Sequence, residues 1–189
     1  MIKGWFNPQV VPETLLLKYY QTKDNGYLEQ LVAQYNRAMY HYLLTLSDAD
    51  LAKDVLQTTW LKVVDLANNE RQLPSMPASV KNWLFTIARN LLIDELRRQQ
   101  RWQWHAITDE HSVTQPLDYS IAQQDKLKQL DQALGELPFS QKEALIFQQE
   151  GFSIFEISQL TGEGVETIKS RLRYAKNNLK ILLGTQHEQ

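Results

Sequence analysis

The chain has 189 residues, of which 43% are hydrophobic and 22% are charged, and its formal net charge is −2. This composition is that of a globular protein, and the length suffices for one large or two small domains. The net charge is too small to attract nucleic acid to the whole chain, so any such binding must come from local patches. Because cysteine is absent, disulfides, cysteine-based zinc sites and thiol catalysis are excluded.

Neither a signal peptide nor a membrane-spanning segment is indicated, because apolar runs such as Ile181 to Leu183 are far too short. We therefore expect a cytoplasmic protein with no direct membrane insertion. The four histidines share no metal-ligand spacing with carboxylates, and no phosphate loop or serine nucleophile motif occurs. The sequence thus predicts no metal, no cofactor and no enzyme activity.

Apolar residues recur at helical spacing along most of the chain, which predicts an all-α fold. A first long helix is expected from about Tyr27 to Leu43, and a second follows the start signal at Ser47 to Asp50. The apolar positions of the second helix are read as Leu51, Val55, Leu56, Thr59, Leu61 and Val63. A polar loop with two prolines at 74 and 77 precedes a third helix, from about Val80 to Arg98.

The helical pattern lapses between residues 102 and 125. This stretch contains four acidic residues but no lysine or arginine. It predicts a flexible acidic linker between two small helical domains, although an ordinary solvated connector fits the composition equally well. The predicted domains are residues 27–101 and 126–184, with a tail at 185–189. Residues 1–26 are expected to form an N-terminal extension and the start of the first helical domain.

The second domain is expected to contain a helix-turn-helix. Capping boxes at Ser140–Glu143 and Ser153–Glu156 each place a glutamate three residues after a serine, which marks the start of a helix. The turn Thr161–Gly164 then leads into a last helix that begins at Val165. Two short helices joined by a tight glycine-containing turn indicate a helix-turn-helix.

The last helix combines an apolar face with a basic stripe formed by Lys169, Arg173, Lys176 and Lys180. Glu166, Ser170 and Tyr174 are expected to point outward. In a helix-turn-helix the second helix enters the major groove, while nearby basic side chains contact phosphates. A basic helix face alone is more often simply solvated, but the capping signals, the turn and the one-sided charge together favour DNA binding.

The third predicted helix offers a second nucleic-acid surface. Arg89, Asn90, Arg97 and Arg98 lie on it, and aromatic residues follow at its end, a mixture that suits single-stranded nucleic acid. The alternative is that Glu95 and its neighbour Asp94 merely pair with the arginines on the helix surface.

Two segments together resemble a known family. The stretches DLAKDVLQTTWLKVV (residues 50–64) and WLFTIARNLLIDELRR (residues 83–98) resemble the first conserved domain of sigma-70 factors, above all the ECF (extracytoplasmic function) subfamily. Residues 130–179 resemble their second domain. The resemblance implies a protein that binds core RNA polymerase, recognises the −10 and −35 promoter elements and helps to open the duplex. An autonomous helix-turn-helix transcriptional regulator is the alternative.

The resemblance also implies roles for individual residues. Asp54 and Gln57 would dock on core polymerase, and the loop 66–79 would capture a flipped base of the −10 element. The −10 contacts would come from Asn90, Arg89, Arg97 and Arg98. The −35 contacts would come from Lys169, Ser170, Arg171, Arg173, Tyr174 and Lys176, with Arg171 on phosphate.

Three departures from the family pattern affect what can be expected. Tyr174 stands where many relatives have arginine, and Glu166 replaces a common small residue, so the promoter sequence of relatives need not apply. Thr58 stands where glutamate is usual beside Gln57, which leaves the strength of polymerase binding open. Because many relatives are held inactive by an anti-sigma factor, we expect such a partner here as well.

Overall fold

The computed structural model describes residues 11–69, 77–103, 129–130 and 132–185. The described residues contain no strand, which confirms the predicted all-α fold. The helices are α1 (Pro12–Thr22), α2 (Asn25–Leu46), α3 (Ala49–Asn68), α4 (Val80–Gln103), α5 (Phe139–Gln149), α6 (Ile154–Thr161) and α7 (Val165–Thr185). The predicted linker lies outside the described residues except for its first two positions, which end α4.

Aspartates start two of the helices in the first unit, α1 to α4. The Asp24 carboxylate accepts a hydrogen bond from the amide of Gly26 at 2.9 Å, and Asp48 accepts from the amide of Leu51 at 2.8 Å. Such N-caps satisfy amides that have no partner within the helix. The start signal predicted at residues 47–50 is therefore confirmed.

Helix α1 lies within residues 1–26, where an N-terminal extension and the start of the first helical domain were predicted. It packs against α2, α3 and α4, and its buried residues are Leu15, Leu16, Tyr19 and Tyr20. The Glu13 carboxylate accepts from the Val80 amide at the start of α4 at 3.0 Å, and the Lys23 ammonium donates to the Ala67 carbonyl near the end of α3. Helix α1 and the residue after it thus bind both ends of the α3–α4 connection.

Helices α5, α6 and α7 form a second unit that packs directly on the first. Helix α2 contacts α5, and α4 contacts α6. One cluster of buried apolar residues runs through both units, from Leu16 and Met39 in the first to Phe147 and Ile168 in the second. The two predicted helical units are therefore in contact in this structure, a point on which the sequence was silent.

The capping box predicted at Ser140–Glu143 is wrong. Helix α5 begins at Phe139 after Pro138, and no side chain caps its start. Glu143 is only 2% exposed and points to α4, where it binds Arg89. The sequence pattern occurs, but a cation from another helix is a stronger partner for the carboxylate than a neutral backbone amide.

None of the described helices combines the length and the apolar character that crossing a bilayer requires.

The buried Tyr20 side chain allows a test of how the first unit is packed. Its hydroxyl is buried, and no partner for it occurs among the described residues. Burial raises the pKa of Tyr20 to about 12, and the neighbouring Tyr19 adds to this effect. Because an unpaired buried polar group costs about 1–3 kcal/mol, we expect Tyr20→Phe to leave the free energy of unfolding at pH 7 unchanged or to raise it by about 1 kcal/mol.

The same substitution should alter the response to alkali. The folded chain favours the protonated phenol, so the contribution of Tyr20 to stability is complete below pH 10 and is lost as the pH rises toward about 12. Urea titrations should show a smaller loss of stability between these pH values in Tyr20→Phe than in the parent. Tyr174→Phe, at an exposed ring, is the control and should change neither quantity. A clear destabilisation of Tyr20→Phe at pH 7 would contradict this interpretation.

Candidate nucleic-acid and polymerase interface

The helix-turn-helix is built by local hydrogen bonds around the turn between α6 and α7. The predicted capping box is confirmed: the Glu156 amide donates to the Ser153 hydroxyl at 3.2 Å, and the Ser153 amide donates to Glu156 at 2.8 Å. The bond from the Ser153 amide to the carboxylate, and a second from the Ser153 hydroxyl at 2.7 Å, lower the pKa of Glu156. At the other end Gly162 adopts φ 72°, a left-handed conformation that glycine adopts at little cost.

A second group of contacts ties the turn to α7. The Ser158 hydroxyl donates to the Glu163 carbonyl at 2.7 Å, and Arg171 donates to the Glu163 carboxylate at 2.7 Å. The Arg171 side chain is 22% exposed. Contact with a phosphate, the role expected of Arg171, would have to compete with this ion pair. In this structure Arg171 instead fixes the angle between the turn and the last helix.

The predicted division of α7 into two faces is present. Ile168, Leu172 and Ala175 are buried, while Val165, the first residue of the helix, is 36% exposed. The basic stripe of Lys169, Arg173, Lys176 and Lys180 is exposed, as are Glu166 and Tyr174 on the outer side, and Ser170 is half-buried. All six residues expected at the −35 element thus lie on one helix, and four of them are exposed.

Charge on this helix is arranged unevenly. The Lys169 ammonium donates to the Glu166 carboxylate at 2.7 Å, one turn earlier. The Arg173 guanidinium lies 5.2 Å from the centre of the Tyr174 ring. Lys169, Arg173 and Lys176 also line a groove of about 370 Å³ between α7 and the two preceding helices. A polyanion entering this groove would meet three cations, one of which already has a carboxylate partner.

Helix α3 exposes a second surface, which we call the α3 stripe: Asp54, Gln57 and Leu61. Asp54 and Gln57 are exposed, as a docking role requires. Leu61 was predicted to belong to the apolar stripe of this helix, but it is 54% exposed and lies one turn beyond Gln57. The prediction is wrong for this position because Leu61, two residues from the buried Thr59 and Val63, lies on the opposite side of the helix.

The four −10 candidates on α4 do not form one patch. Asn90 is exposed. Arg89 is 18% exposed, and its guanidinium donates to Glu143 through Nε at 2.8 Å and through Nη2 at 3.2 Å. Arg97 and Arg98 are exposed about two turns farther along, roughly 12 Å from Arg89 at the α-helical rise. Arg98 pairs with Glu95, as the alternative interpretation of this helix expected.

A metal centre has no support in the described ranges, which contain no group of three potential ligands. The features not found from the sequence are the exposed Leu61, the buried Glu143, and the contacts of Glu13 in α1 and of Lys23 directly after it. The sequence contains a signal for Glu143. This glutamate directly precedes the apolar run Ala144–Phe147, so it would be buried if neighbouring helices packed on more than one face of that helix.

The comparisons with known proteins agree with this arrangement. The family model for sigma-70 region 2 matches residues 31–102, and the model for sigma-70 region 4 matches residues 127–179. EcfG of Rhodopseudomonas palustris, an ECF RNA polymerase sigma factor, is 34% identical over 139 residues, which cover 72% of this chain and 73% of that protein. SigM of Mycobacterium tuberculosis is 28% identical over 171 residues, which cover 89% and 83% of the two chains.

Solved structures give the same result. The sigma factor RpoE of Bartonella quintana, solved in complex with the anti-sigma factor NepR, is 30% identical with a TM-score of 0.70. The match covers 83% of this chain and 96% of RpoE. CnrH, solved with the cytosolic domain of CnrY, shares the fold at 19% identity and a TM-score of 0.66, over 92% of this chain and 97% of CnrH. The chain therefore belongs to the ECF subfamily of the sigma-70 family of RNA polymerase sigma factors.

Proposed function

We propose that this chain binds core RNA polymerase through the α3 stripe, reads the −35 element through α7 and contacts the −10 element through α4. One observation carries this assignment. The chain exposes two different surfaces, one within the region 2 match and the other within the region 4 match. One is a mixed polar and apolar stripe on α3, and the other is a basic face on a capped helix-turn-helix. The two domains, predicted at 27–101 and 126–184, are part of the same proposal, with α1 included in the first.

The outer face of α7 supplies both base-reading and phosphate-binding groups. Arg173 can donate two hydrogen bonds to a guanine edge, and Lys176, one turn on, has the charge to contact phosphate. Glu166 can accept from a cytosine amino group, provided that Lys169 turns from it to the DNA. We therefore propose that the Glu166–Lys169 pair exchanges partners on binding, and that the −35 sequence read here differs from that of relatives with a small residue at this position.

Asn90, Arg97 and Arg98 are the −10 residues whose positions on α4 leave them exposed. Extruding a base from a duplex costs a few kcal/mol, so a surface that binds the extruded base also stabilises the melted state. The loop 66–79 is the proposed site of capture; its residues 70–76 lie outside the described part of the chain.

Regulation by an anti-sigma factor is part of the proposal. Its support is that RpoE of Bartonella quintana, 30% identical to this chain, was solved with the anti-sigma factor NepR. We propose that this chain acts in the cytoplasm, where transcription takes place, and that it contributes no chemical step of its own.

Transcription from pooled genomic DNA by core RNA polymerase, with and without this protein, tests the assignment. We expect discrete new start sites that appear only with the protein and share upstream bases. A protein that binds a specific duplex by itself and does not bind core polymerase would instead be an autonomous regulator. A protein that binds core polymerase and yields no new starts would be an adaptor.

A further inference from the structure

The contact between the two helical units has a close-packed aromatic centre. Tyr42 of α2 stacks on Phe147 of α5 with ring centres 4.6 Å apart. Phe85 of α4 meets Phe152, which follows α5, edge to face at 4.9 Å. All four rings are buried. The interface is thus a continuation of the hydrophobic core, and separating the units would expose four aromatic rings to water.

An ion pair crosses the same interface. Glu143 of α5 is 2% exposed, and it accepts two hydrogen bonds from Arg89 of α4, at 2.8 Å and 3.2 Å. The Tyr42 hydroxyl of α2 donates to it as well, at 3.2 Å. A buried carboxylate is tolerated only when it is paired and hydrogen-bonded in this way. Its two partners come from two helices of the first unit, so they are lost together when the units separate.

Polar contacts at the edge of the interface join the same helices. His41 lies 2.7 Å from the Glu150 carboxylate, and the Lys81 ammonium donates to the Glu150 carbonyl at 2.5 Å. Lys81 also lies 4.1 Å from the centre of the Phe152 ring. Because Glu150 and Phe152 directly follow α5, these contacts fix the orientation of the second unit as well as its position.

Arg89 connects this interface to the DNA-binding surface. It precedes the exposed Asn90 on the helix assigned to the −10 element, yet its guanidinium is occupied by Glu143. One guanidinium cannot hold the Glu143 carboxylate bidentately and bind a phosphate or a base at the same time. We propose that the Arg89–Glu143 pair holds the free chain in a closed form, and that polymerase and promoter DNA must separate the two units to bind. The part that concerns DNA and polymerase rests on the function proposed above, whereas the closed form does not.

The closed form would set the apparent affinity of the chain for polymerase. A partner that binds only the open form has its affinity reduced by the fraction of molecules that are open. If one molecule in ten is open, the apparent affinity falls about tenfold, and a substitution that weakens the closed form recovers that factor. Weakening the ion pair should therefore increase polymerase binding, which is the opposite of what loss of a merely structural contact would do.

Glu143→Gln tests the closed form, since it keeps the size of the side chain and removes its charge. The chain has no cysteine, so spin labels can be attached at Glu29→Cys and Gln159→Cys, which are exposed positions on α2 and α6. We expect one narrow distance distribution in the parent and a broader, longer one in Glu143→Gln. Glu136→Gln makes the same change at an exposed position and should leave the distribution unchanged. Equal distributions in the parent and Glu143→Gln would overturn the proposal.

A covalent bridge between the two units tests whether the closed form limits polymerase binding. This test does not depend on Glu143→Gln folding correctly. His41 and Glu150, whose side chains are in contact, are replaced by cysteines and joined with a cleavable bis-maleimide. We expect the bridged chain to bind core polymerase at least tenfold more weakly and to recover when the bridge is cleaved. A bridged chain that binds as well as the cleaved one would overturn the proposal. If the labels separate as expected but neither the parent nor the cleaved chain binds polymerase, the closed form is supported and the proposed function fails.

Discussion

Promoter-specific transcription is expected to fall at least about tenfold in Arg173→Ala, because a good bidentate contact to a base contributes about 1–3 kcal/mol of discrimination. The side chain is exposed on the outer half of α7 and belongs to the basic stripe beside the buried face. Its removal should also relax the preferred upstream sequence. Run-off transcription by the holoenzyme from a library randomised at the −35 element measures both the yield and the preference.

Two other substitutions distinguish a sequence-specific contact to a base from a general effect of positive charge. Lys176→Ala, one turn from Arg173, should weaken all promoters alike and reduce the slope of affinity against salt by about one. Lys18→Ala removes one exposed positive charge from α1 and should change neither the yield nor the preference. If Arg173→Ala initiates normally and keeps the parental preference, α7 does not read the −35 element through this residue.

The features that could be predicted from the sequence depend on residues close together along the chain. The box at Ser153 and Glu156 and the left-handed Gly162 are both determined within one turn of the residues concerned. Asp48 starts α3 for the same reason. Since these signals fix where α6 and α7 begin and end, the helix-turn-helix and the exposed basic face of α7 could be predicted together.

The same capping-box pattern led to a wrong prediction at Ser140–Glu143. Serine and glutamate stand at capping-box spacing, but Pro138 occupies the position before the helix and Glu143 turns away to Arg89, which is 54 residues distant. A local pattern cannot show that a cation from another helix will reach a carboxylate. For the same reason the packing of one unit on the other could not be predicted, although all the aromatic residues that form it are visible in the sequence.

Helix α1 was missed although a signal for it was present. Pro12 stands at its first position, where proline lacks only an amide that would be unpaired anyway. Apolar residues follow at helical spacing, from Leu15 to Tyr20. The resemblance begins after this segment, and the expected role of the segment was therefore left open. Its bonds to Val80 and Ala67 show that it supports the connection assigned to −10 capture.

Leu61→Asp is expected to weaken binding of core polymerase at least about tenfold, because burying a leucine side chain contributes about 1.5–3 kcal/mol and a buried unpaired carboxylate opposes binding. The residue is 54% exposed, so the free chain should fold as before. Leu61 lies one turn from Gln57 and two turns from Asp54. It therefore adds an apolar side chain, available to polymerase, at the end of the polar part of the α3 stripe. Titration of labelled protein with core polymerase gives the affinity, and circular dichroism checks the fold.

Leu17→Asp is the matched control, because Leu17 is 41% exposed on α1 and lies outside the α3 stripe. It should leave polymerase affinity unchanged, whereas Asp54→Ala should reduce it. Leu61→Asp also separates polymerase binding from DNA recognition, since it should weaken polymerase binding without changing α7, the helix proposed to read the −35 element. Parental affinity in both Leu61→Asp and Asp54→Ala would show that polymerase docks elsewhere. Loss in Leu17→Asp as well would show that the docking surface extends from α3 to α1.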